Sequence, residues 1–554
     1  MRLSELIQGL PIVEARGDAE ITGVCVDSRR VQRGDLFVAL AGRQHDGHHF
    51  IADALQQGAA AVMVQQAAAQ VASEFPFVRV PDTREALWRI AQRLYGDPTQ
   101  HMLTIGVTGT NGKTTTTHML QKILAAWGKP TVLIGTLGAW IEYPDGRREA
   151  LAQEGEFTTP EVYQLQSLLE RARQLDAQAA VMEVSSHALD QRRADGIRFD
   201  VGVFTNLTQD HLDYHGTMEA YAAAKLRLFT DLAEQSGKPF RAVVNIDDEW
   251  GRVFAAKARG AVCTYGESES ALVRATRVEY GHDALRFWIR TTLTTRNGAG
   301  RHSTLTPSPS PTAWERGSDF ALTPSPSPTA WERGGDSPSP NLLGEGDKGG
   351  EGISLHTPLI APYNLYNALA ATTAALALEV PLEAIQQGLA SLSQVPGRFE
   401  RAPIDADYTV IVDFAHTPDA LARVLQAGRM LNPTRLTVLF GCGGDRDPTK
   451  RPQMGRIAAE LADRVILTSD NPRTEDPHQI LQQILAGVPN ELRGKVALVE
   501  ADRRRAIEYA LHTAQAGELV LLAGKGHEPY QIVGTEKLSF SDIEVAKEAA
   551  GAKR

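Results

Sequence analysis

At 554 residues the chain is longer than one hydrophobic core can organise, and roughly three or four domains are expected. Lys and Arg total 57 against 67 Asp and Glu, and the net charge of −10 excludes nucleic acid as a general partner, because binding a phosphate backbone needs a basic face. Three widely spaced cysteines (Cys25, Cys263, Cys442) exclude a disulfide framework or Cys-based zinc site, and no apolar run reaches signal-peptide or membrane-spanning length, so a cytoplasmic protein without membrane insertion is expected.

The first unit covers 1–98. Asp35-Leu36-Phe37-Val38-Ala39-Leu40 predicts a strand, His49 to Gly58 a helix, and Ala60 to Val64 a further strand. The second unit, 99–395, opens with an apolar strand, Met102 to Val107. It runs into Thr108-Gly109-Thr110-Asn111-Gly112-Lys113-Thr114-Thr115, and Leu120, Ile123, Leu124 and Trp127 then mark the apolar face of a helix. Glycines there let backbone N–H groups approach an anion, and the helix N-terminus adds partial positive charge. Lys113 would reach the terminal phosphates of a nucleotide and the Thr114 hydroxyl would ligate Mg²⁺. The loop is shorter than the usual G-x-x-x-x-G-K-[ST] pattern, which would have glycine where Val107 stands.

Further along, the runs at Val132-Leu133-Ile134, Ala180 to Val184 and Val201 to Phe204 alternate with helical patterns, as in a parallel sheet covered on both faces. Glu183 stands at a strand end, where open α/β sheets bind ligands, and could face a Mg²⁺ held by Thr114. The turn Asn206 to Gly216, dense in Asp and His, suits a metal or phosphate site. Lys225, on an alanine-rich helix, reads by itself as a solvated charge. Leu305 to Gly317 recurs identically as Leu322 to Gly334, the Pro-rich stretch over about 297–352 is expected to be a disordered insertion, and deletion of Leu305 to Gly350 is expected to leave activity intact. The third unit, 396–554, reads as a second open α/β sheet, with strands Val410 to Val412, Leu436 to Phe440, Val465 to Leu467 and Leu519 to Leu522, and helices Pro418 to Met430 and Lys450 to Ala462. Asp470-Asn471-Pro472-Arg473 and Gly524-Lys525-Gly526-His527-Glu528 each follow one of its strands.

The phosphate loop, Glu183-Val-Ser-Ser-His187, Asp210-His211-Leu-Asp-Tyr-His-Gly216 and Lys225 together resemble the Mur ligase family, the ATP-dependent amide-bond synthetases of peptidoglycan precursors. The family's loop has this shorter form. The resemblance runs from about Asp27 to Glu528 outside the Pro-rich insertion. It implies an α/β chain of three domains: an N-terminal UDP-sugar-binding domain, a central P-loop ATPase-like parallel sheet, and a C-terminal Rossmann-like amino-acid-binding domain.

The resemblance also implies roles. Gly109, Thr110, Asn111, Gly112, Lys113, Thr114 and Thr115 would bind ATP with Asn364, Asn367, Asp413 and His416, and Arg398 would reach ATP from the second hinge. Lys225 would carry a CO₂-derived carbamate, an anionic oxygen donor where an ammonium could not ligate a cation, and would hold Mg²⁺ with Thr114, Glu183 and His211. Val26, Ser28, Gln44 and His45 would contact the uridine nucleotide, and Thr158, Thr159, Ser185, Gln191 and Arg193 the muramoyl-dipeptide end. Arg446, Asp470, Asn471, Pro472, Arg473, Gly524 and Glu528 match the amino-acid site of the branch that adds meso-2,6-diaminopimelate to UDP-N-acetylmuramoyl-L-alanyl-D-glutamate. An arginine fork suits the carboxylate that distinguishes this amino acid from lysine. Phe157 and Phe414 depart from the family's commonly polar residue and tyrosine. The partners implied are these small molecules alone, acting on a monomer. A lysine-adding or relaxed ligase is disfavoured by Arg473, a folylpolyglutamate synthase-like enzyme by the uridine-type first unit, and a non-catalytic nucleotide-binding regulator by the presence of Glu183, His211 and Lys225.

Overall fold

Short apolar strands alternating with helices build three main sheets, of five, eleven and six strands. The computed structural model describes residues 1–42, 46–66, 71–152, 158–281, 283–293, 295–296, 302–303 and 352–551. Gln44, His45, Phe157 and the Pro-rich repeat at 305–350 lie outside the described residues.

In the first sheet Gly23–Cys25, Asp35–Val38, Ala61–Val64 and Phe77–Arg79 run parallel, and Glu14–Arg16 closes the edge antiparallel to Phe77–Arg79. The Thr83–Leu94 helix follows, its start capped by Asp82, whose carboxylate accepts from the Arg84 and Glu85 amides. Trp88 of that helix and Val162 and Tyr163 of the Val162–Gln174 helix join the first unit's core, so the first two units share apolar surface.

The Leu103–Thr108 strand lies in the middle of the second sheet, between Ala179–Glu183 and Val201–Phe204 and parallel to both. Two later strands thus flank it on opposite sides, leaving the crevice beyond its carboxyl end that ligands use in open α/β sheets. The expected parallel arrangement forms the middle of this sheet, and both flanks extend it with antiparallel strands: Gly138–Glu142 and Arg148–Ala152 on one side, Leu285–Thr291 and Ile353–Thr357 on the other. In Leu285–Thr291 residues alternate between buried and more exposed positions, the pattern of a sheet with one solvated face, and a search for continuous apolar runs passes over it. The Lys113–Ala126 helix packs on Asn364–Ala377 and Leu382–Ser391. Leu120, Ile123 and Leu124 are fully buried there, each contributing on the order of 1.5–3 kcal/mol by leaving water.

The third sheet orders Glu400–Arg401, Thr409–Asp413, Leu519–Ala523, Leu436–Phe440, Arg464–Thr468 and Val496–Glu500, parallel except for the first. Its carboxyl ends carry Asp413, Gly441, Ser469 and Gly524. No helix among the described residues is long and apolar enough to cross a membrane.

Candidate active site

The phosphate loop has the backbone its glycines require. Gly109 and Gly112 take φ of 148° and 86°, and a Cβ on either would overlap Thr205 Oγ1 or Asn367 Oδ1 respectively. Lys113 opens the helix, with Thr114 and Thr115 buried behind it. Thr114 Oγ1 donates to Glu183 Oε2 at 3.1 Å, joining the loop to the neighbouring strand end. Glu183 also accepts from Thr136, at 2.9 Å from the backbone N–H and 3.2 Å from the hydroxyl.

Two lysines converge on one oxygen. Lys113 Nζ lies 3.0 Å and Lys225 Nζ 2.8 Å from the Gly109 carbonyl, and Lys113 also donates to the Thr110 carbonyl at 2.8 Å. Lys225 is 1 % exposed, so the solvated charge expected from its alanine-rich helix is instead a buried amine. The reason is tertiary: the Met218–Leu226 helix lays Tyr221, Ala222 and Lys225 against the site. Burial first, and the Lys113 charge second, push the Lys225 pKa well below that of a free lysine. Around it stand His187, His211, His215 and Tyr221, with ring centroids 4.7 Å apart for His187–His211 and 5.1 Å for His215–Tyr221. His211 takes a left-handed backbone (φ 54°) that turns it into this cluster, its Nε2 lying 3.4 Å from the Asp210 carboxylate. Burial, with the charges of Lys225 and Lys113, holds its imidazole below the ordinary value, although 42 % of the side chain still meets solvent.

The third unit reaches this site through two hydrogen bonds, Arg398 Nη2 to Thr114 Oγ1 and Asn111 Nδ2 to Asp419 Oδ2, each 3.1 Å. The Arg398 guanidinium lies 4.7 Å over the Phe414 ring, a contact that phenylalanine makes without a hydroxyl. Asp413 spends both oxygens on backbone, accepting from Phe399 N at 2.7 Å and Ala415 N at 2.8 Å, and so ties the hinge to the strand end. His416 Nδ1 sits 2.9 Å from the Phe414 carbonyl. Asn364 and Asn367 are buried and bonded to each other at 2.9 Å beside Gly112.

On the opposite side of Glu183, Thr159 Oγ1 donates to the Glu183 carbonyl at 2.9 Å and accepts from Ser185 N at 3.1 Å. Arg193 donates to the Thr159 carbonyl at 2.9 Å and to Gln191 Oε1 at 2.6 Å, and the Thr158 and Thr136 hydroxyl oxygens lie 3.3 Å apart. Thr159, Ser185, Gln191 and Arg193 therefore form one connected group, which Glu183 and Thr136 extend to Thr158. Ser28 is buried in a turn capped by Asp27, and Val26 packs beside it in the first unit's core.

The third sheet gathers its own cluster. Asn471 Nδ2 and Lys525 Nζ each lie 2.9 Å from Glu528 Oε2. Asp470 is buried, its Oδ1 4.0 Å from Lys525 Nζ and without a hydrogen-bond partner among the described residues, and burial raises its carboxyl above the usual range. Arg473 donates to the Gly444 carbonyl at 2.8 Å, and burial with the nearby Arg446 charge lowers its pKa. A cleft of ≈ 580 Å³ is lined by Gln209, Leu212 and Asp213 from the second unit and by Asp445 to Thr449, including Arg446, from the third.

Family models match three successive parts of the chain: the Mur ligase family catalytic domain at 20–95, the Mur ligase middle domain at 107–304, and the Mur ligase glutamate ligase domain at 397–526. A UDP-N-acetylmuramoyl-L-alanyl-D-glutamate–2,6-diaminopimelate ligase from Gloeobacter violaceus is 43 % identical over 559 residues, covering 100 % of this chain and 99 % of that one. The chain belongs to the Mur ligase family. A ligase of the same name from Synechococcus elongatus is 42 % identical over 96 % of this chain and 94 % of its own. Among solved structures, one of a ligase of that name aligns with TM-score 0.57 at 30 % identity, over 96 % of this chain and 95 % of that one. A MurF ligase from Thermotoga maritima in complex with ADP shares the fold, with TM-score 0.59 at 17 % identity over 96 % and 97 %.

This Mur ligase chain also uses residues that the motifs did not single out. Thr136 follows the Thr131–Gly135 strand, so the strand-end rule could have found it. Arg503 and Arg451 carry no local signal. The first donates to the Ser469 and Ala523 carbonyls just before Asp470 and Gly524; the second bonds the Gly443 carbonyl and Glu475.

Proposed function

We propose that the chain is an ATP-dependent amide ligase that joins meso-2,6-diaminopimelate to UDP-N-acetylmuramoyl-L-alanyl-D-glutamate, releasing ADP and phosphate. One arrangement carries this reading: Arg473 and Arg446 stand beside the acidic pair Asp470 and Glu528 at the strand ends of the third sheet. The far end of diaminopimelate bears a carboxylate and an ammonium on one carbon. A planar guanidinium takes the carboxylate through two parallel bonds, and the buried Asp470 Oδ1, with Glu528, receives the ammonium. Lysine offers only the ammonium and leaves the guanidiniums without a carboxylate partner. The names borne by the Gloeobacter and Synechococcus relatives support the same substrate.

In the reaction, the γ-carboxylate of the D-glutamyl residue attacks the γ-phosphorus of ATP, giving an acyl phosphate and ADP. The free amine of diaminopimelate attacks the acyl carbon, and phosphate leaves as the amide forms. Phosphorylation supplies the leaving group that a carboxylate lacks. Lys113 and Arg398 neutralise phosphate charge, and the connected group of Thr158, Thr159, Ser185, Gln191 and Arg193 orients the dipeptide end. Asn364 and Asn367 take the adenine side with His416, while Asp413 fixes the hinge that carries Arg398.

The donor chemistry fits Mg²⁺. The Thr114 hydroxyl and Glu183 carboxylate are adjacent hard oxygen donors, and His211, its pKa lowered, keeps a neutral ring nitrogen. An anionic oxygen on Lys225, whose amine lies 2.8 Å from the Gly109 carbonyl of the phosphate loop, would add a further hard donor to this set. The buried Lys225, its pKa held well below that of a free lysine, suits that role: as the free amine its nitrogen bonds to the carbon of CO₂, one N–H proton passes to solvent, and a carbamate results. Bound Mg²⁺ supplies charge neutralisation during phosphoryl transfer. All three substrates meet residues of one chain, which suits a monomer, and a pathway fed by ATP and a UDP-linked sugar belongs in the cytoplasm.

Phosphate release from ATP, measured with UDP-N-acetylmuramoyl-L-alanyl-D-glutamate and either meso-diaminopimelate or L-lysine, tests the reading. Turnover with the first amine far above the second supports it; equal turnover, or none with either, overturns it.

A further inference from the structure

Beyond Glu528 the chain forms a hairpin, Tyr530–Val533 paired with Glu536–Ser539, that no step above uses. Residues 536–539 are exposed throughout, and Val533 and Leu538 are 44 % and 47 % exposed. Among the described residues no core cluster includes any part of 530–539. The hairpin instead spends its polar groups on the loop that carries Arg473. Gln531 Nε2 donates to the Asp470 carbonyl at 2.7 Å, and the Ile532 amide donates to Asn471 Oδ1 at 2.9 Å. The Arg473 amide donates to the Ile532 carbonyl at 3.1 Å, and the Gly534 amide donates to the Arg473 carbonyl at 2.8 Å.

Arg473 has φ 52°, a left-handed conformation that a side-chain-bearing residue keeps only when its surroundings over-determine it. Here both its backbone N–H and its C=O are held by hairpin residues two positions apart, a single parallel bridge between Arg473 and Val533. Gly534 makes the second of these bonds at φ 61°, a conformation that favours glycine, with open space where a side chain would stand. The hairpin thus fixes the backbone from which the guanidinium projects, and Gln531 fixes the peptide after Asp470.

We infer that the 530–539 hairpin is a specificity-positioning element: Gln531 and the turn at Gly534 hold Asp470-Asn471-Pro472-Arg473 in the form that receives the distal carboxylate and ammonium of the diamino acid. This inference rests on the function proposed above. Gln531 is a positioning residue, acting through Asp470 and Arg473, so its loss is felt by one substrate of three.

The test uses the full chain in the phosphate-release assay, with KM measured separately for ATP, the UDP-linked dipeptide and meso-diaminopimelate. Gln531→Glu keeps the side chain's shape but sets an acceptor against the Asp470 carbonyl, and Gly534→Val disfavours the left-handed turn. For each, the KM for meso-diaminopimelate is expected to rise about tenfold and its preference over L-lysine to fall equally, with kcat and the other two KM values within about twofold. Thermal unfolding controls for folding, and if Gly534→Val does not fold, Gln531→Glu carries the test. An unchanged KM for the amine in Gln531→Glu overturns the inference, and so does a uniform loss across all three substrates. A wild-type chain inactive with meso-diaminopimelate refutes the proposed function itself, and this inference with it.

Discussion

Removing the charge of Asp542 should unfold the third unit at a much lower temperature and loosen the amino-acid site at the same time. Arg503 and Asp542 are fully buried and joined by two bonds, Nε to Oδ1 at 2.8 Å and Nη2 to Oδ2 at 2.6 Å. The same guanidinium donates to the Ser469 carbonyl at 3.2 Å and the Ala523 carbonyl at 3.1 Å. Breaking a buried pair by neutralising one member leaves the other charge uncompensated and costs about 3–5 kcal/mol. For a unit of 150–250 residues each kcal/mol shifts Tm by about 2–4 °C, so Asp542→Asn should lower the third unit's transition by about 6–20 °C. Calorimetry on the full chain should read this as the shift of one transition, because the hydrogen-bond partners of the pair, Ser469 and Ala523, belong to the third unit. The double variant Arg503→Met, Asp542→Leu removes both charges and should regain the part of the stability lost to the unpaired guanidinium. It still leaves the Ser469 and Ala523 carbonyls without their donor, at about 1–3 kcal/mol each if they stay dry, and both immediately precede site residues. The double variant should therefore melt above Asp542→Asn but below the wild type, and keep a raised KM for the amino acid. A transition within about 2 °C of wild type for Asp542→Asn would refute the reasoning, since so small a shift is under the least cost of an unpaired buried guanidinium.

Three further outcomes are expected. Lys225→Ala should lose at least about a hundredfold in kcat and Lys225→Glu, which restores an anionic oxygen, should recover part of it; a carbamate signal from ¹³CO₂ in the wild type, lost in Lys225→Ala, is the direct check, and normal turnover of the alanine variant counts against the role. Burial pushes the Asp413 carboxyl from 3.8 up to about 6, so between these values the folded chain binds more protons than the unfolded one. Its contribution to stability is therefore greatest below about pH 4 and falls, by at most about 3 kcal/mol, as pH rises to about 6; urea unfolding across that window should show a shallower fall for Asp413→Asn, and an unaltered slope is the adverse result. Deleting 305–350 should leave kcat and all KM values within about twofold, because a Pro-rich repeat poor in apolar residues adds little to a core, and a folded deletion variant without turnover would sink that expectation.

The sequence revealed the residues whose chemistry dictates their type, and hid those that hold them in place. A phosphate loop must have glycines where backbone meets an anion and a lysine at the helix start, so Gly109, Gly112 and Lys113 stood out, and the apolar runs placed the strands that carry Glu183 and Asp413. The flanking antiparallel strands were less legible, because a half-solvated strand such as Leu285–Thr291 has no continuous apolar run. Lys225 shows the limit most directly. Its neighbours on the chain are alanines, and only the carbonyl of Gly109, 116 positions away in sequence, makes its burial meaningful. Arg503 and Gln531 are the same case in the third unit: each acts through a backbone carbonyl far along the chain, and any residue type can supply a carbonyl. A motif such as Asp470-Asn471-Pro472-Arg473 therefore names the group proposed to meet the substrate without ensuring that it does so. An arginine presented from a left-handed backbone selects a second carboxylate only while something else holds that backbone, and in this chain the holding falls to a hairpin with almost no core of its own. On the proposed function, substrate choice in this chain would rest on two segments, the loop that bears the charge and the strands that fix its φ, and a change in either alone should be enough to alter it.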